Sequence, residues 1–446
     1  MTHKYIPNTE KQVRQMLDEM SYESVCDLFK EIPDEVKLNR NYQIEKALPE
    51  LEVVNRLQNL ANMNHVDLVT FLGAGSYDHY IPSIVRHITG RSEFYTAYTP
   101  YQPEVAQGTL QYIFEYQTMI TELTGMDVSN ASMYDGATAT AEAISMAVGK
   151  NRRKTILVAE SMHPSTIEVI KTYAHFRGFE VVMVNHKAGL IDVEDLKSKL
   201  TKDVSCFVGS NPNFFGLIED YSPISDLIHE NKSLFIANIN PMSLGLLKAP
   251  KEYGVDICVG DAQVFGIPRS FGGPYLGYLA TTTDLMRKMP GRICGQTTDV
   301  DGKRAFVLTL QAREQHIRRD KANSNICSNQ SLNVLAATVY LSTMGKKGIQ
   351  EVATQNLQKA HYAFKEITKL PGFSAPFSGP FFNEFVIKSE QSYQEIKEAL
   401  NKANMVPGFH LGQIDKKYEN YILFCVTEKR SRKEIDQLVE VLGGIK

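Results

Sequence analysis

Tryptophan is absent, and no run of apolar residues approaches the roughly 20 that a bilayer-spanning helix needs. The opening Met-Thr-His-Lys-Tyr-Ile-Pro holds no apolar signal core, so the expected location is the cytoplasm. Neither sign of charge dominates: 48 Lys and Arg face 51 Asp and Glu, a net charge of −3. That balance argues against a general electrostatic role on nucleic acid or on an anionic membrane. Cysteine is sparse. Cys26, Cys206, Cys258, Cys294, Cys327 and Cys425 show no C-x-x-C spacing, so they read as reduced thiols and not as a disulfide framework or a zinc site. No metal site is expected. The most informative absence is local: from Glu252 to Arg287 there is not one lysine.

What is present has an ordinary globular balance, 43% hydrophobic and 22% charged, in a chain of 446 residues long enough for two or three domains. Residues 1–65 read as a helical arm. Thr9-x-x-Gln12 has the form of a capping box, and Val13, Met16, Leu17 and Met20 recur on one helix face. Val53, Val54, Leu57, Leu60 and Ala61 form a second such face. An arm of this kind packs on a neighbour or on its own domain, and the pattern favours neither. Residues 66–327 alternate short apolar runs (155–159, 180–184, 205–209, 234–238, 256–259, 275–280) with helical or turn-rich stretches. Buried strands joined by helical crossovers predict a mainly parallel, doubly wound α/β sheet, whose ligands sit at the carboxyl ends of strands. Residues 328–446 change pattern: a helix ending near Gly345, a long helix, then strand, helix, strand and helix. They predict a smaller C-terminal α/β domain.

Several segments could carry chemistry. Phe71-Leu-Gly-Ala-Gly-Ser-Tyr-Asp-His-Tyr80 contains G-x-G, but Asp78 stands where a dinucleotide fingerprint needs its third glycine. A glycine turn that brings backbone close to a ligand or partner fits better. In Glu93-Phe-Tyr-Thr-Ala-Tyr-Thr-Pro-Tyr-Gln-Pro-Glu104, Pro100 and Pro103 interrupt any helix. Tyr95, Tyr98, Thr99, Tyr101 and Glu104 then form a loop suited to a polar pocket or an interface, or an aromatic loop packed for structure alone. Tyr134-Asp-Gly-Ala-Thr-Ala-Thr-Ala-Glu142 opens a helix whose N-terminus suits a phosphate, or plain capping by Asp135 or Thr138. His163 follows a strand end and could stack on a planar ring or serve as a hydrogen-bonded structural residue. Asn211–Gly216 ends another strand with polar groups and a turn. Arg313, Arg318, Arg319 and Lys321 crowd a polar stretch between the two predicted domains.

The lysine-free segment centres on Gly260-Asp-Ala-Gln-Val-Phe-Gly-Ile-Pro-Arg-Ser-Phe-Gly-Gly-Pro274. It resembles the cofactor-lysine turn of a pyridoxal phosphate (PLP) enzyme with Gln263 in place of the lysine, and an amide cannot form a Schiff base. The strand 233–240 ends in Ala237 and Asn238 where such an enzyme needs a carboxylate for the pyridine nitrogen. Segments 94–108, 264–274 and 313–327 are long, irregular and specific. Through them essentially the whole chain resembles the glycine cleavage system P-protein family, glycine dehydrogenase (decarboxylating), and within it the half without the lysine.

The resemblance implies a fold type I PLP-transferase-like large domain. The family enzyme decarboxylates glycine on PLP and passes the aminomethyl group to the lipoyl arm of H-protein. In the catalytic half the lysine lies in a His-Lys-Thr-Phe-x-x-Pro turn. Superposing Phe265-Gly-Ile-Pro268 on Phe-x-x-Pro places Gln263 on that lysine, His163 on the ring-stacking histidine and Ala237 near the pyridine-nitrogen aspartate. The implied partners are a lysine-bearing subunit 2, in an α2β2 assembly, and H-protein. The loop 95–104 would complete the partner's active site. The alternatives are a purely structural or regulatory subunit, a self-sufficient PLP enzyme using Lys248 or Lys321, and a nicotinamide oxidoreductase.

Overall fold

The computed structural model describes residues 5–445. The chain divides into two compact units, 1–66 and 67–446. In the first, helix Glu10–Glu19 begins with the expected capping box: Thr9 Oγ1 accepts from Gln12 N–H and Gln12 Oε1 accepts from Thr9 N–H. Leu17 is the one residue of that helix to be buried. Helix Glu50–Ala61 buries nothing. Its expected face, Val53, Val54, Leu57 and Leu60, forms and lies exposed.

The second unit is built on a seven-stranded sheet. Its strands in chain order are β1 (Val128–Ser129), β2 (Thr155–Ala159), β3 (Glu180–Val184), β4 (Val204–Asn211), β5 (Leu234–Ile239), β6 (Ile257–Asp261) and β7 (Gly277–Thr281). The spatial order is β1-β7-β6-β5-β4-β2-β3. Strands β2 to β6 pair in parallel, and β7 is antiparallel to both β6 and β1. The apolar runs explain these elements: every residue of β4 is buried, as in a strand covered on both faces. Helix Gly136–Asn151 packs across β4 to β7. Outside the expected pattern, Ile293–Thr298 and Arg304–Thr309 pair as an antiparallel hairpin.

A second, four-stranded antiparallel sheet has the order Phe373–Ser374, Glu384–Ser389, Tyr421–Cys425, Phe409–His410. It carries its own hydrophobic cluster, including Phe385, Ile387, Leu423, Phe424 and Leu438. Phe71, Phe214, Phe215 and Leu217 join that cluster, and Val69–Thr70 pairs with Met405–Val406. The packing therefore crosses the chain boundary expected at 327/328, because a two-residue strand leaves no periodic signal. Helix Ser331–Ile367 links the clusters: Val334 to Ala353 belong to the first, Ala360 to Ile367 to the second. At Gly345 the backbone leaves helical geometry (φ 60°, ψ −179°), where the sequence predicts one helix ending before another begins.

Candidate functional site: a cleft at the carboxyl ends of the strands

A cleft of about 380 Å³ opens where β4, β5 and β6 end, the position at which doubly wound sheets hold ligands. Gln263 follows β6 by two residues and is 2% exposed. Its amide is fully committed to backbone. Nε2 donates to the carbonyls of Tyr77 (3.0 Å) and Ile267 (2.7 Å), and Oε1 accepts from Tyr77 N–H (2.9 Å). His163 begins helix Pro164–Arg177. Its Nδ1 accepts from Ser165 N–H (3.1 Å), so Nε2 carries the proton and donates to the Ala74 carbonyl (3.0 Å). Burial holds its pKa below the ordinary value, and its ring meets Phe214 edge-on at 5.0 Å.

Both residues thus bind one loop, 74–77. Glu384 binds it too, accepting from Ala74 N–H (2.6 Å) and from the Tyr77 hydroxyl (2.7 Å). Ser76 and Tyr275 share a hydroxyl–hydroxyl bond of 2.6 Å. Burial pushes the Glu384 carboxyl up to about 7, against the pull of its two donors. The loop can lie this close because Gly75 has φ +94° and a Cβ there would sit 3.1 Å from the His163 ring. The G-x-G turn therefore does approach closely, but to the protein's own histidine.

The helix N-terminus at Gly136 is occupied by carboxylates. Asp135 Oδ1 accepts from Thr138 N–H (2.8 Å), and Asp261 Oδ2 accepts from Gly136 N–H (3.2 Å). Asp261 also accepts from Gln263 N–H (2.9 Å) through Oδ1, and burial raises its pKa to about 7. The geometry is that of a cap, with the anion position filled by side chains. Ala237 is fully buried within β5, and the neighbouring Asn238 lines the cleft instead. Asn238 Nδ2 donates to Thr140 Oγ1 (2.9 Å). Neither lysine nor arginine is among the described residues lining the cleft. PLP does not fit here as a covalently held cofactor: no lysine among the described residues lines the cleft to form the imine, and the carboxylates of Asp135 and Asp261 stand at the helix N-terminus where a phosphate would sit.

The tyrosine loop stands apart from this cleft. Tyr98 is 87% exposed, and Tyr95, Tyr101 and Glu104 are exposed as well. Thr99 is half-buried and its carbonyl accepts from Tyr101 N–H (2.9 Å). The Tyr101 hydroxyl accepts from Arg292 Nη2 (3.0 Å), with the guanidinium also over the ring. Of the four clustered cations, Arg313 is a backbone clamp, bonded to the carbonyls of Leu310, Met289 and Gly291. Arg318, Arg319 and Lys321 are exposed. Sequence reasoning missed Tyr77, Ser210, Asn240 and Glu384. For Glu384 no signal existed, since it meets Ala74 across 310 residues of chain.

Sheet order, cleft and small antiparallel domain define the class of fold type I PLP-dependent enzymes. A solved sphingosine-1-phosphate lyase of Burkholderia pseudomallei shares that fold at a TM-score of 0.68 and 14% identity, over 92% of this chain and 93% of its own. Residues 3–442 match the family described as glycine cleavage system P-protein. A Bacillus cereus protein called probable glycine dehydrogenase (decarboxylating) subunit 1 is 52% identical, over 100% of both chains. The crystal structure of a glycine decarboxylase (P-protein) in inhibitor-bound form superposes with a TM-score of 0.90 at 39% identity, again over 100% of both chains. The chain belongs to the glycine cleavage system P-protein family.

Proposed function

We propose that this chain is the lysine-free subunit of a heteromeric, cytoplasmic glycine dehydrogenase (decarboxylating), working with a lysine-bearing subunit 2 in an α2β2 assembly. PLP, held by the partner, supplies the electron sink for loss of carbon dioxide from glycine. The aminomethyl group then passes to the lipoyl arm of H-protein. The observation that carries the division of labour is Gln263, whose amide is committed on every side to backbone and offers no amine.

The contribution of this chain is a wall of the partner's site. Tyr95 ends the short helix Ser92–Tyr95, and Tyr98, Tyr101 and Glu104 lie on the loop after it. They present phenols and a carboxylate at the surface beside the hydroxyl of half-buried Thr99, and Arg292 holds that loop at Tyr101. Phenols brought over a small substrate orient it and keep water from a reactive carbanion. In the reconstituted two-subunit enzyme, Tyr98→Ala is expected to lower kcat/KM for glycine at least tenfold, and Tyr98→Phe less. Because Tyr98 is 87% exposed in this chain, its loss should leave the fold of the chain intact. Unchanged glycine and H-protein kinetics would mean a purely structural subunit.

A further inference from the structure

The cleft at β4 to β6 holds polar groups that the fold does not satisfy. Ser210, the penultimate residue of β4, is 7% exposed, lines the cleft, and its Oγ has no hydrogen-bond partner. Its register partner on β5 is Asn238. Residues in register on parallel neighbours project to the same face. Asn238 commits its amide nitrogen to Thr140, leaving Oδ1 uncommitted. Two neighbouring strands therefore offer hydrogen-bond acceptors side by side at the sheet end. A buried polar atom without a partner is costly and rare in native proteins.

The residue types in the walls restrict what could satisfy these atoms. Asp135, Asp261 and Glu384 line the cleft, and no lysine or arginine does among the described residues. Two of the first-turn helix amides, those of Gly136 and Thr138, already serve Asp261 and Asp135. His163 donates its one ring proton to Ala74. An incoming phosphate or carboxylate meets carboxyl groups and finds no free cation. An ammonium group meets acceptors.

We propose that the cleft binds a small primary amine as its ammonium ion, with Ser210 Oγ and Asn238 Oδ1 as acceptors at the ends of β4 and β5. The site belongs to this chain alone and does not depend on the role assigned to the tyrosine loop. The occupant is held by hydrogen bonds, with no covalent step.

Calorimetric titration of the full-length chain with ethanolamine, without PLP, tests this, with inorganic phosphate as the comparison. One-to-one binding of ethanolamine and none of phosphate is expected. Ser210→Ala should weaken ethanolamine about tenfold, the loss of one charge-assisted bond. It should also leave the thermal midpoint unchanged or raised, because the hydroxyl it removes has no partner in the free chain. Asn238→Asp, which adds a carboxylate in the same place, should tighten ethanolamine several-fold, whereas mere structural damage would loosen it. Phosphate binding, no ethanolamine binding, an unaffected Ser210→Ala or a weakened Asn238→Asp would each overturn the assignment.

Discussion

Gln263 is a structural residue in a position where chemistry is expected, and its side chain shows why one substitution would not restore that chemistry. Its oxygen is the acceptor for Tyr77 N–H, and its nitrogen serves two carbonyls. A lysine could still donate, but it would leave the Tyr77 N–H unpaired in the interior, at a cost of about 1–3 kcal/mol. Nor would it find a welcoming phosphate cup, since the carboxylates of Asp135 and Asp261 already take the amides of Thr138 and Gly136. Gln263→Lys is therefore expected to lower the urea midpoint of the chain. After addition of PLP and borohydride, absorbance should show no trapped adduct on it. A stable adduct at that position would show that the amide alone keeps the cofactor out. Gln263 and His163 stand out in the sequence because a turn and a strand end flank them, and both line the cleft. At the end of β5, Ala237 is buried while Asn238 lines the cleft, and a one-residue shift along a strand exchanges the two faces.

Elements were legible where one period dominates. Strands 155–159 and 180–184 coincide with the expected apolar runs. The paired arms 293–298 and 304–309 were not read, since polar Gln296, Thr297 and Thr298 break the apolar signal. Gly345 was read as a helix end, and the structure gives the reason. A residue at φ 60° and ψ −179° occupies a region essentially restricted to glycine. A Cβ at Gly345 meets nothing within 4 Å, so a substitution there acts through backbone strain alone. Gly345→Ala should cost ~1–3 kcal/mol in urea denaturation, with no loss of side-chain packing. The bend falls among the turns that pack on the first cluster, with Leu341 before it and Ile349 after it. A variant as stable as the parent would show that the bend relaxes into continuous helix.

Across the whole molecule, pH acts on two opposed sets of buried groups. Burial raises Glu219, Asp261 and Glu384 each to about 7. A carboxyl raised in the folded state binds its proton there while the unfolded chain has already released it. Its stabilisation is full below the unfolded value near 4 to 4.5 and is lost as pH rises through 7. Burial depresses His163 and His186, which makes the opposite contribution: their share of stability falls as pH drops below the ordinary histidine value. The overall profile mixes both, so the informative quantity is the difference between a variant and its parent. Glu384→Gln keeps an acceptor for Ala74 N–H, reverses the bond with the Tyr77 hydroxyl, which now accepts from the amide, and removes the titration. Relative to the parent it should gain ~2 kcal/mol between pH 5 and pH 8, since the parent alone must ionise a buried group. Urea midpoints at the two pH values measure the gain. Parallel curves for variant and parent would show that Glu384 ionises without cost, and that the loop it holds over His163 and Gln263 is open to water.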